Sequence, residues 1–159
     1  MKTLIKIPAA FTSILVVCFS LFVLVSCEKK DDNKNSGMYN VSGNASGTQV
    51  VPSVNVTATG TITGTYNANT NLLTYTMGWT GLSGSATATA FYSGASGANG
   101  ALIGNTTITT SGATGASVGT MTLTDDQENA LLSGSMYYLI STSAHTSGEI
   151  RGQVTTTPQ

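Results

Sequence analysis

Charge is scarce in this chain. Asp, Glu, Lys and Arg make up 8% of its 159 residues, and most of them precede Met38. From Met38 to Gln159 the charged side chains reduce to Asp125, Asp126, Glu128, Glu149 and Arg151, with His145 the single histidine. So few cations cannot neutralise a run of phosphates, which excludes nucleic acid as a partner. Cysteine is as rare. Cys18 and Cys27 both lie near the N-terminus, so the body can form neither a disulfide nor a thiolate metal site. A lone histidine cannot build a zinc or copper centre either, because such centres need several nitrogen, sulfur or carboxylate ligands. No metal and no other cofactor is expected.

What the sequence does have begins with an export segment. Lys2 and Lys6 precede an apolar stretch from Ile7 to Val25 that only Thr12, Ser13 and Ser20 interrupt, and it ends in Leu24-Val25-Ser26-Cys27. A small residue before a cysteine at the end of such a stretch is the pattern of bacterial lipoprotein processing. Residues 1–26 are therefore expected to be a removable lipoprotein signal peptide, and Cys27 the lipid-bearing first residue of the mature protein. Palmitate-type acyl chains on Cys27 would make the membrane its partner, at about 0.8 kcal/mol per buried methylene. An uncleaved membrane span is the competing reading of the apolar stretch, and Pro8 with the Ser-Cys pair argues against it. Residues 27–37 contain no apolar side chain after the cysteine and read as a flexible polar tether. The acidic cluster behind Cys27 resembles surface-export signals of some diderm bacteria. The expected location is the cell envelope, anchored to the outer membrane, with the surface face and the periplasmic face both open.

From residue 38 onward Thr, Ser, Gly, Ala and Asn dominate, with Thr and apolar residues in alternation. Val56, Ala58, Gly60, Ile62, Gly64 and Tyr66 fall on one face of a strand, and the threonines between them on the other. Asn67–Asn71 supplies a turn, after which Leu73, Tyr75, Met77 and Trp79 share a face, so the two runs read as a hairpin. Further strands are expected over Met38–Gly43, Ala86–Tyr92, Ala101–Thr109, Val118–Leu123, Met136–Thr142 and Glu149–Thr155. One helix fits Asp125–Leu132, with Thr124 and Gln127 as a capping box and three acids in its first turn. The expectation is an all-β domain over residues 38–159: an antiparallel β-sandwich or Greek-key barrel of about eight strands with one short helix.

Several patterns suggest chemistry and fail on context. Gly115-Ala116-Ser117-Val118-Gly119 has the spacing of a hydrolase nucleophile elbow, and Asp125 or Asp126 and His145 follow in order. The elbow, however, needs a strand before the serine and a helix after it, whereas Thr120–Leu123 continues as a strand. Asp125–Glu128 lacks the ligand spacing and glycine of a calcium loop. Ser93–Gly100 has closely spaced glycines but neither a following Lys-Ser/Thr nor a helix, so it reads as a surface loop rather than a phosphate cradle. Glu149 and Arg151 are two apart, so a strand points both to one face while Ile150, Gly152 and Val154 take the other. They are expected to be a buried structural pair, with Arg151 tied to Glu149 or to carbonyls of a neighbouring strand or loop. A recognition role is the alternative.

Four blocks carry a family resemblance. Gly47-Thr48-Gln49-Val50-Val51-Pro52-Ser53-Val54 is similar to an opening G-A-Q-E-V-P-P-V, Gly81-Leu82-Ser83-Gly84 to a G-L-S-G turn, and Leu131-Leu132-Ser133-Gly134 to L-L-A-G. Gly148-Glu149-Ile150-Arg151-Gly152-Gln153 matches a closing G-E-I-R-G-Q without change. Together they resemble the CHRD domain, the module named after chordin. The family's typical H-x-H corresponds here to Ala90-Phe91-Tyr92, and a third typical histidine to Ser141. Any metal or ligand chemistry of those imidazoles therefore does not carry over. The resemblance implies protein partners by analogy of fold. The expected function is a non-catalytic, lipid-anchored cell-envelope protein whose β-domain binds or scaffolds a protein or surface ligand. The alternative is an exported enzyme or metal-handling protein with a site not evident in the sequence.

Overall fold

A computed structural model describes residues 37–159; the expectations for the signal peptide, Cys27 and residues 28–36 lie outside the described residues. Alternation of threonine with apolar side chains yields ten antiparallel strand segments: β1 (Met38–Ser46), β2 (Thr59–Asn67), β3 (Leu72–Thr80), β4 (Ala86–Ser93), β5 (Ala101–Thr106), β6 (Ile108–Thr110), β7 (Gly115–Thr122), β8 (Met136–Thr142), β9 (Ile150–Gln153) and β10 (Thr155–Pro158). Their order in the sheet is β5-β4-β8-β9-β1-β2-β3-β7-β6, with β10 also on β1. The two ends of that path, β5 and β6, are separated in the chain only by Thr107. One broken strand thus pairs with β4 through its first half and with β7 through its second. The two ends of the sheet therefore meet along one broken strand and give a nearly closed barrel, which shortens the exposed edges that invite aggregation. A second broken strand, β9 and β10 interrupted at Val154, lies along β1. Counted by whole strands the domain has about eight, and the all-β antiparallel fold with one short helix is as expected.

The closure seam is polar and buried. Thr89 and Ser117 are both enclosed. Thr89 Oγ1 lies 2.5 Å from Thr106 Oγ1, while Ser117 Oγ donates to the Thr107 carbonyl at 2.7 Å and lies 3.1 Å from Thr106 Oγ1. These hydroxyls satisfy backbone that the change of partner at Thr107 leaves without a ladder. Most of the remaining interior is apolar: Ile62, Leu73, Met77, Phe91, Met136, Tyr138, Ile140 and Ile150 are fully enclosed. Tyr75 meets Phe91 edge-on across it at 5.1 Å. The expected hairpin faces hold, with Ile62 and Tyr66 inside and Thr61 and Thr63 outside. On the outer wall, Thr65, Thr74 and Thr120 fall in register across β2, β3 and β7, a face of hydroxyls without charge.

Helix α1 (Asp125–Leu132) forms where the sequence places it, and the capping box is complete: Gln127 N–H donates to Thr124 Oγ1 and Thr124 N–H to Gln127 Oε1. Its buried residues Ala130 and Leu131 lean on the barrel. Thr124→Ala removes one of the two reciprocal bonds and is expected to cost about 1 kcal/mol, read as a lower midpoint in a urea titration.

Candidate functional site

Glu149 precedes β9, on a bend that Gly148 makes possible with a φ of +115°, a conformation that side chains rarely adopt. Its backbone N–H donates to the Ile140 carbonyl, anchoring it to β8. The side chain is 0% exposed. Oε1 accepts the Ser83 backbone N–H, and Oε2 accepts the hydroxyls of Ser83 and Thr142, all at 2.6 Å. One carboxylate thereby holds the Gly81–Gly84 turn against the β8 terminus. Burial pushes its pKa up, but hydrogen bonds from Ser83 and Thr142, aided by the charge of His145, outweigh burial and hold it below the ordinary carboxylate range.

Arg151 takes a different environment. It is 1% exposed and lies on the outer face of β9, since its neighbour Ile150 belongs to the interior cluster. Its guanidinium sits 3.6 Å above the Tyr137 ring, and Tyr137 stacks on Tyr92 at 5.2 Å. Nη2 donates to the Ala95 carbonyl at 2.8 Å and to Gln153 Oε1 at 3.3 Å. Nη1 is buried and has no hydrogen-bond partner. Burial lowers the Arg151 pKa, with Tyr137 opposing. Glu149 and Arg151 do not bond to each other. Glu149 fastens one turn, and Arg151 reaches the carbonyl of another loop.

That loop, residues 94–100, overlays the stack. Gln153 Nε2 pins it through the Gly94 carbonyl, Asn99 Nδ2 reaches the Val51 carbonyl, and Gly100 N–H meets Tyr137 Oη at 3.3 Å. Two clefts flank the segment 54–56 nearby. One, of about 290 Å³, is lined by Val50, Val51, Pro52 and Val54 against Ala144–Gly148, with His145 on its rim. The other, of about 400 Å³, is lined by Asn55, Val56, Thr57, Gly81, Ser83 and Glu149. Three of the four sequence blocks singled out above therefore converge on one region.

The remaining candidates fall elsewhere. Ser117 is buried inside β7, donating into the closure seam, and occupies no strand-to-helix elbow. Asp125, Asp126 and Glu128 form the first turn of α1. Ala90 and Tyr92 on β4 pair with Leu139 and Tyr137, and Ser141 pairs with Ala88. The three positions thus share the outer face of β4 and β8, but an alanine, a tyrosine and a serine offer no imidazole, and the set does not fit a metal. Among the described residues no cluster of His, Cys, Asp and Glu could hold one. Sequence reasoning missed Ser83 and Thr142 as partners of Glu149. They lie 66 and 7 residues from it, and hydroxyl residues are too common here to stand out.

Comparison with curated proteins and with solved structures gives no match. A family model, that of the CHRD domain, matches residues 41–154. That span begins in β1 and ends at Val154, covering the barrel wall, the seam and both clefts. The chain belongs to the CHRD domain family.

Proposed function

We propose that this chain is a lipid-anchored protein of the cell envelope whose CHRD barrel is a non-catalytic module that binds or scaffolds a protein or surface ligand. Support for the anchor is the Leu24-Val25-Ser26-Cys27 pattern and the polar run behind it. Support for a binding role rests on one observation above the rest. Glu149, the only carboxylate in either cleft, is committed to three short hydrogen bonds, and the other cleft residues are valines, a proline, small neutral groups and one imidazole. Walls of that kind suit recognition by shape and neutral contacts better than proton transfer, which needs a group free to exchange protons with a substrate.

A photo-crosslinking amino acid at Val51 in the full-length protein, activated on intact cells, tests this. The expected outcome is a discrete adduct from Val51 and none from a control at Thr76, on the threonine wall. Adducts from Thr76 alone would move the binding face to that wall.

A further inference from the structure

Arg151 is the chain's only arginine, and its burial lacks the usual compensation. A buried cation is normally paired with a carboxylate or satisfied at every donor. Here the one nearby acid by sequence, Glu149, is occupied with Ser83 and Thr142. The guanidinium carries five N–H donors. The two on Nη1 have no acceptor, although the atom is shut away from solvent. The loop whose Ala95 carbonyl takes Nη2 is also unusual. The segment Gly94-Ala95-Ser96-Gly97-Ala98-Asn99-Gly100 has no side chain larger than asparagine, and residues 95–100 are exposed. It therefore brings no apolar anchor into the barrel. It is held by a few hydrogen bonds, those of the Gly94 and Ala95 carbonyls, the Asn99 side chain and the Gly94 and Gly100 N–H groups. These bonds together contribute about 5 kcal/mol, more where the Arg151 charge takes part, so the loop stays closed in the free protein and opens only in a small fraction of molecules.

This loop has closely spaced glycines and no cation of its own. In the folded chain Arg151 supplies the cation from 56 residues away. The platform beneath is already set, because the guanidinium lies over the Tyr137 ring and Tyr92 stacks on that ring. We propose that Arg151 and loop 94–100 form a site for a small oxyanion, a carboxylate or phosphate group, with the loop as its lid. When the lid opens, ligand oxygens take the two N–H groups of Nη1 and replace the Ala95 carbonyl at Nη2, giving the two-point geometry that a planar guanidinium favours. The Arg151 guanidinium lines neither cleft, but Asn99 ties the lid to Val51 on the wall of one of them.

Full-length protein in detergent micelles, labelled with ¹⁵N-arginine, reports on this site through a single guanidinium. It is titrated with inorganic phosphate, and in a second arm with acetate, at constant ionic strength set by chloride. The expected result is a saturable shift of the Arg151 Nη resonances in at least one arm, and the arm that saturates identifies the oxyanion. Asn99→Ala, which frees the loop from Val51, is expected to lower the half-saturating concentration severalfold. Shifts that stay linear or absent in both arms would overturn the site, and an unchanged or raised half-saturating concentration in the Asn99 variant would overturn the lid.

Discussion

Replacing Glu149 with alanine is expected to destabilise the barrel by about 3–5 kcal/mol, since it strips the acceptor from three donors in a buried place. For a domain of this size that lowers the melting temperature by roughly 10–20 °C, measurable by circular dichroism. The Ser83 N–H cannot turn elsewhere, because Gly81–Gly84 is fixed between β3 and β4. Acid should produce part of the same loss in the wild type. The folded-state pKa of Glu149 is lowered, so its contribution is fully present above the unfolded value of about 4.3. It disappears as pH falls through the folded value. Glu149→Gln keeps the shape and one acceptor oxygen, so it should lose less at neutral pH and show a flatter decline in acid. A wild-type decline in acid equal to that of the glutamine variant would show that Glu149 does not set the acid limb.

The same residue shows where sequence reasoning stops. A spacing of two placed Glu149 and Arg151 on one strand face, but β9 begins at Ile150 and Glu149 sits on the bend before it, so the alternation rule does not reach it. Elsewhere the rule held, because threonine alternates with apolar residues and glycine from Thr59 to Tyr66 and with apolar residues from Leu73 to Met77. The capping box was equally legible, its signal being local. The start of β7 was not. Gly115–Ser117 looks like a loop by composition, yet a Cβ at Gly115 would strike the Thr110 carbonyl oxygen and lie 2.7 Å from the Trp79 ring, and one at Gly119 would lie 2.8 Å from Tyr75 Oη. Those positions are small because the Thr110 backbone and large rings on β3 fill the space, a pairing between strands that no single segment reveals. The break at Thr107 has no marker either, since a strand that changes partners keeps the same β-prone residues. Nor did the loop 94–100 announce the arginine beneath it.

Cys27→Ala is expected to abolish lipidation completely. The acylated cysteine gains about 0.8 kcal/mol per buried methylene, and two or more chains make attachment stable. Without the thiol there is no acceptor for the first acyl group. The variant should accumulate as a precursor that retains residues 1–26 and takes up no radiolabelled palmitate, while the wild type is labelled. A labelled alanine variant would place the lipid on another residue.

The central claim, that a CHRD barrel is presented at the envelope from a lipid on Cys27, is tested most directly by the intact mass of the wild-type protein extracted from membranes. The expected mass is that of a chain that begins at Cys27 and carries its acyl groups. A chain that still begins at Met1, or an unmodified Cys27, would contradict it.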